Sequence, residues 1–437
     1  MISRAEFQRR RKLLMGLARA PAAIIVPAAP ARVRSVDAFY AYRQDSDLAY
    51  LTGFAEPDAV LVLIPGRAAA QSILFCRERS AERERWDGEV IGPERAPALL
   101  GVDDAFPIED IDDILPNLID GQERVYYHFG RDAEFDLKVL SWINRLRAQK
   151  PRGARAPESI IALGHLLGDL RLFKSKGELK LMRQAVAISA LAHQQVMRTA
   201  RPGLSENQIE AELMYIFRSH NAVAAYEPTV AAGKNACTLH YRGNKSPLIA
   251  GDLLLVDAGC EVACYASDIT RTMPISGRFS PAQRDLYDVV LSAQEAGIAA
   301  AKMANAWRDI HDAALREIVR GLIALKLLRG DLDKAIASGG YKTYFPHKTG
   351  HWLGLDVHDV GDYHIEGSSR ILESGMVLTV EPGIYIAPDD PHASKALRGQ
   401  AVRIEDEVAI TALGPQLLTG AVPRSAEAIE GFMRGSS

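Results

Sequence analysis

Apolar residues along this chain follow two rhythms. AVLVLIP at 59–65 and QSILFCR at 71–77 are continuous runs bounded by Pro, Gly or polar residues, and they read as buried strands. Between such runs the apolar positions recur at helical spacing. RDAEFDLKVLSWINRLRAQ at 131–149 is an amphipathic helix, and Lys150-Pro151-Arg152-Gly153 stops it. Near the N-terminus Ser3 is an N-cap, Glu6 completes a capping box, and Phe7, Leu14 and Leu17 share a helix face.

A polar, small-residue stretch follows residue 153, and a new start signal stands at Ser175. Glu178 is its capping partner, and Leu181, Ala185, Ile188 and Ala192 make the stripe. Ser205 with Gln208, and Ser280-Pro281 with Gln283, open two further helices. Strands are expected at 252–259, 264–274, 376–381 and 401–411. The pattern predicts an α/β (α+β) chain with an N-terminal mixed domain at 1–173 and a second domain at 174–437.

Composition narrows this only a little. A chain of 437 residues exceeds one ordinary core, which agrees with two domains. It is 48% hydrophobic and 24% charged with a net charge of −3, so neither nucleic acid nor a membrane is an expected partner. Cys76, Cys237, Cys260 and Cys264 are too few for a disulfide framework, and Cys260 and Cys264 lack the second pair of a thiolate zinc site. RRRKLLMGLARAPAA starts like a secretory leader, but Arg19 and Pro21 interrupt its short apolar stretch. No run reaches the roughly 18 apolar residues of a membrane span. A cytoplasmic protein is expected.

The chemistry sits in the last 190 or so residues, in five short motifs. Asp257 ends the run LLLVD, and Asp268 lies in YASDITRT. A hairpin with its tip near Val262-Ala263 would place these aspartates directly opposite, where like charges destabilise unless a cation intervenes. A solvent-facing aspartate in a loop would give the same letters. Glu381 ends MVLTV before Pro382-Gly383, as a structural glutamate also could. Glu405 lies in AVRIEDEVAI, where alternation groups Arg403, Glu405 and Glu407 on one face. An exposed edge strand would read identically.

Five of the eleven histidines fall between His347 and His392. His347 and His351 are four apart, but Thr349-Gly350 and Gly354 argue against a helix and no HExxH glutamate follows His347. Four carboxylates and one imidazole suit manganese, cobalt or iron(II) better than a thiolate-rich zinc site. Their charge balances two divalent ions. Ions about 3.5–4 Å apart lower the pKa of a shared water, and the resulting hydroxide would be the nucleophile.

These motifs resemble those of the metal-dependent pita-bread peptidases, which include methionine aminopeptidase, prolidase and Xaa-Pro aminopeptidase (aminopeptidase P). The aminopeptidase P type is the best match. YRQDSDLAYLTGFAEPDAVLVL is similar to its N-terminal domain and RLFKSKGELKLMRQA to its domain junction. VDAGCEVACYASDITRTMPISGRFSPAQRDLYDVVL, HWLGLDVHDVG, RILESGMVLTVEPGIYI and RIEDEVAIT are similar to its catalytic core.

The resemblance implies a C-terminal curved antiparallel sheet flanked by helices, with two divalent ions, manganese by expectation. Asp257 would chelate one ion, Asp268 and Glu405 would bridge both, and His351 and Glu381 would complete the other site. His240 and His358 would contact the scissile region, with Glu381 managing the nucleophile's proton. His347 would be a further active-site histidine, and Tyr385 and Arg403 would orient ligands. Trp86 would reach a neighbouring subunit in a dimer or tetramer. The implied substrates are peptides with proline second, cleaved by attack of a metal-bridging hydroxide. The alternatives are a prolidase acting on Xaa-Pro dipeptides, a metal-free peptide- or histone-binding module, and a creatinase-type protein. The chain departs from the family pattern at Gly350, where a serine is frequent, at Lys348-Thr349, where a small neutral pair is frequent, and in the loop after Gly361.

Overall fold

The computed structural model describes residues 2–435. The chain forms two compact units that part between Arg171 and Leu172.

The first unit is built on a six-stranded sheet. Its order is Asp104–Pro107, Ser72–Cys76, Val60–Leu63, Ala22–Pro27, Arg124–Tyr127, Ser159–Ala162. The apolar runs at 59–65 and 71–77 are the fully buried strands Val60–Leu63 and Ser72–Cys76, paired antiparallel. Ala22–Pro27 pairs antiparallel with Val60–Leu63 and parallel with Arg124–Tyr127, so the sheet is mixed. Helix Ala133–Ala148 starts at Asp132, whose carboxylate accepts from the backbone of Glu134 and Phe135.

The opening helix Arg4–Leu17 differs from its reading in sequence. Ser3 caps it, but Glu6 turns to Arg9 and Arg10 rather than back to Ser3. Leu17 is exposed, and the buried face carries Arg10 and Arg11 beside Leu14. Arg10 donates to the carbonyl of Tyr50 and Arg11 to those of Leu51 and Gly101. These carbonyls lie at the ends of short helices, where orphan acceptors attract cations. Hydrophobic periodicity could not foresee arginines used as caps.

In the second unit the three capping boxes form as read. They open helices Lys176–Thr199, Glu206–Ser219 and Pro281–Ala300. Helix Trp307–Ala324 packs against Pro281–Ala300, and the buried core includes Leu286, Val290, Leu315 and Ile318. All paired strands of this unit are antiparallel. One group is Thr229–Ala232, Leu253–Asp257 and Thr270–Pro274, and another is Val377–Val380, Asp406–Thr411 and Gly414–Leu417. Gly383–Tyr385 pairs with Ala401–Arg403, and single bridges join Thr270 to Glu405 and Trp352 to Leu378.

Two expected strands are broken, and the breaks matter. The stretch 264–274 divides into Tyr265–Ala266 and Thr270–Pro274, leaving Asp268 between them. The stretch 401–411 divides into Ala401–Arg403 and Asp406–Thr411, leaving Glu405 between them. Breaks in a ladder re-aim side chains.

The hairpin register also differs. Ala263 and Cys264, both at positive φ, form the turn, and Val262 pairs with Tyr265. Asp257 therefore faces Thr270 rather than Asp268. The turn lies one residue later than expected, which moves each partner by two positions.

Candidate metal centre

The site assembles around the two broken strands. Ligand atoms of Asp268, His351 and Glu405 lie within 4.8 Å of one another. His351 Nε2 is 3.3 Å from Asp268 Oδ2 and 3.5 Å from Glu381 Oε1. The Tyr226 hydroxyl lies 2.7 Å from Asp257 Oδ1 and 2.5 Å from Asp268 Oδ1, tying the fourth carboxylate to the others. The structure thus gathers Asp257, Asp268, His351, Glu381 and Glu405 into one cavity of about 570 Å³. Glu405 is only 2% exposed, which rules out the exposed edge strand.

Each candidate ligand is aimed by backbone or by a buried partner. Asp257 ends Leu253–Asp257 and receives Arg403 Nη2 at 2.6 Å. Asp268 has its backbone N–H held by buried Glu407, 2.8 Å to Oε1. Glu405 accepts from the Thr270 hydroxyl at 2.7 Å. His351 Nδ1 lies 2.9 Å from the Trp352 carbonyl, which can only accept. That contact puts the proton on Nδ1 and leaves Nε2 as the donor atom facing the carboxylates. His351 and Glu381 belong to adjacent segments, since the Glu381 N–H donates to Thr349 and the Thr379 N–H to His351. Gly350 sits between them, and a Cβ there would meet the Thr379 carbonyl oxygen at 2.0 Å.

Arg271 stiffens the region from behind. Its guanidinium is fully buried and donates to the carbonyls of Thr270 and Glu405 and to the Asp406 carboxylate. Asp406 is also held by the Thr419 hydroxyl and the Gln294 amide.

The electrostatics of the bare shell are unfavourable. Burial, then the charges of Asp268, Glu381 and Asp257, push the Glu405 carboxyl far above its usual range. Burial raises Glu381 to about 7 against the opposing pull of His351. Burial also raises Asp257, although Arg403 opposes it. Burial alone would lower His351, but the hydrogen bond to Asp268 and the charges of Glu381 and Asp268 lift it to about 9. Without cations the shell therefore retains protons. The donor set of carboxylate oxygens and one imidazole nitrogen fits divalent ions that favour hard ligands, and such ions would remove the repulsion.

The remaining sequence candidates divide. His240 and His358 line the cavity, and the His358 ring lies 4.3 Å from that of His351. His347 Nε2 lies 2.9 Å from the Tyr385 hydroxyl, which receives Arg403 Nη1 at 3.0 Å. Burial lowers His347 to about 4, so its ring is neutral. Tyr385 and Arg403 thus form a chain that ends on Asp257. Trp86 is in the first unit, on helix Ala81–Asp87, and is 83% exposed; it is not among the cavity's lining residues.

Sequence reasoning missed Tyr226, Thr270, Arg271 and Glu407. Nothing in the segment AAYEP marks a tyrosine shared by two carboxylates. Arg271 carried a readable signal, a lone cation inside the strand Thr270–Pro274.

Inward carboxylates with one imidazole, set in breaks of an antiparallel sheet, define a metal-dependent hydrolase. Residues 180–412 match the model of metallopeptidase family M24, and residues 7–126 match that of the aminopeptidase P N-terminal domain. The chain is 43% identical to the Xaa-Pro aminopeptidase of Escherichia coli K12, covering 99% of this chain and 98% of the other. It is 35% identical to human Xaa-Pro aminopeptidase 3, covering 98% of this chain and 86% of that one. The solved structure of Pseudomonas aeruginosa aminopeptidase PepP superposes with a TM-score of 0.98 at 51% identity, covering 100% of this chain and 99% of that one. A zinc-substituted E. coli aminopeptidase P in complex with product superposes at 0.97. This chain belongs to metallopeptidase family M24 and is a metal-dependent aminopeptidase with the pita-bread fold.

Proposed function

We propose that the chain is a dinuclear, manganese-dependent enzyme that removes an N-terminal residue from peptides with proline in second position. The observation that carries this reading is the convergence of four carboxylates and His351 Nε2 in a cavity that also presents His240 and His358. In this reading Asp257, Asp268, His351, Glu381 and Glu405 would hold the ions. When bound, the ions supply Lewis acidity and lower the pKa of a water they share.

The chain's own residues do the rest. Glu381 accepts the nucleophile's proton, as a carboxylate beside the reacting water can. Burial and the neighbouring charge of His351 lower the His358 pKa in the metal-free protein, and in this reading the His358 ring donates an N–H to the developing oxyanion. His240 holds the scissile carbonyl from its own wall of the cavity. Tyr385 and Arg403 fix Asp257, and His347 fixes Tyr385. Leu239, Val357 and Tyr363 offer apolar surface to a proline ring. The tertiary amide before proline has no N–H, so the site need not satisfy one.

The oxygen-rich donor set favours manganese. Residues 1–173 form the N-terminal domain in this reading and 174–437 the catalytic one. No helix among the described residues is long and apolar enough to cross a membrane. A cytoplasmic homo-oligomer, dimer or tetramer, with Trp86 at a subunit contact, completes the proposal. The test is a panel of Xaa-Pro dipeptides, Xaa-Pro-Yaa tripeptides and longer peptides. Cleavage of tripeptides and longer peptides supports an aminopeptidase; turnover of dipeptides alone would make it a prolidase.

A further inference from the structure

Lys348 lines the metal cavity with its side chain exposed. The cavity's other cations are engaged: Arg403 with Asp257, and Arg242 with Glu227. Among the described residues the Lys348 ammonium has no ion-pair partner.

The backbone that carries it is fixed to the metal centre. His347 Nδ1 lies 2.7 Å from the Lys348 carbonyl, and His347 Nε2 lies 2.9 Å from Tyr385. Thr349 is 2% exposed, its hydroxyl lies 2.8 Å from His311 Nδ1, and its carbonyl accepts the Glu381 N–H. Lys348 is three residues from His351, so their Cα atoms are at most about 11 Å apart. A tripeptide held with its first peptide bond at the metals ends about two residues, or roughly 7 Å, further on. A group two residues past the scissile bond can therefore come within reach of the four-carbon stem of Lys348.

We propose that Lys348 is a specificity-determining residue that selects peptides with an anionic group just beyond the scissile bond. The group is the free carboxylate of a tripeptide or an acidic side chain at the third residue. This rests on the aminopeptidase reading above. Arg403 is buried against Asp257, and Lys348 is the exposed cation on the cavity wall with no ion-pair partner among the described residues. An unpaired cation at a cleft attracts anions and changes binding more than chemistry.

The test compares Ala-Pro-Ala with Ala-Pro-Ala-NH2, and Ala-Pro-Asp-NH2 with Ala-Pro-Asn-NH2, in the wild type, K348M and K348R. The wild type is expected to show a KM about fivefold lower for the anionic member of at least one pair at low salt, narrowing as salt is added. Which pair responds identifies the source of the carboxylate. In K348M the ratio falls to about one, and K348R restores most of it. Equal KM values in the wild type, or a ratio unchanged in K348M, overturn the proposal. Calorimetric binding of Pro-Ala against Pro-Ala-NH2 gives the same comparison without turnover. Loss of turnover with that binding preference intact would count against the aminopeptidase reading alone.

Discussion

At the scale of single residues, Asp257, His351, Glu381 and Glu405 have pKa values that move toward the protonated form in the bare protein. His351 moves from 6.5 to about 9, and Glu381 from 4.5 to about 7. The signs combine. A histidine raised in the folded state stabilises fully below its unfolded pKa, and that contribution is lost as pH rises through 9. A carboxylate raised by burial costs nothing below 4.5, and its cost grows as pH rises and it must ionise. Both effects destabilise the metal-free protein between about pH 5 and pH 9. Thermal melts of chelator-treated protein should show the midpoint falling across this range, and manganese should flatten the decline. A metal-free midpoint that rises from pH 5 to pH 9 would contradict the charge distribution described here.

Taken singly, the proposed ligands read ambiguously in sequence. Glu405 read equally as an exposed edge residue, and Asp257 as loop chemistry. What made them readable was their number and their short motifs. Tyr226 was invisible because its partners lie 31 and 42 residues away, and no local pattern encodes that encounter. Arg403 and Tyr385 were placed by resemblance, and the hydrogen bonds explain why those residue types stand there.

At the scale of elements, sequence patterns located the most apolar strands but missed their interruptions and strands such as Ala22–Pro27, Arg124–Tyr127 and Thr229–Ala232. Capping boxes at Ser175, Ser205 and Ser280 were legible because each is a local arrangement of hydrogen bonds. The breaks around Asp268 and Glu405 were not, because alternation continues through both. The hairpin register failed for a related reason. The turn at Ala263-Cys264 holds two non-glycine residues at positive φ, which composition does not signal.

The contact between 349–351 and 379–381 gives a prediction at this scale. A side chain at Gly350 would press on the Thr379 carbonyl, which is backbone and cannot rotate away. Gly350→Ser should therefore cost about 1–3 kcal/mol of stability, read from denaturant midpoints. Manganese affinity should weaken as well, since the strain falls between His351 and Glu381. A G350S variant with unchanged stability and unchanged metal affinity would show that the two segments separate freely.

At the scale of the whole molecule, the first unit carries a mixed sheet and the second carries every proposed metal ligand. The polar stretch after residue 153 and the helix start at Ser175 are the signals that suggested two domains, and the compact units part between Arg171 and Leu172. The composition had little else to say at this scale, because a net charge of −3 and ordinary hydrophobic content fit many soluble enzymes.

The central claim is that this shell, loaded with divalent ions, hydrolyses the bond before proline at the second position. The direct measurement follows Ala-Pro-Ala-Ala and Ala-Ala-Ala-Ala by mass spectrometry, with protein stripped of metal and then titrated with manganese. The account predicts no cleavage by stripped protein, and release of the first alanine from the proline peptide alone once about two manganese ions per chain are bound. Undiminished cleavage by stripped protein, or equal cleavage of both peptides, would contradict it.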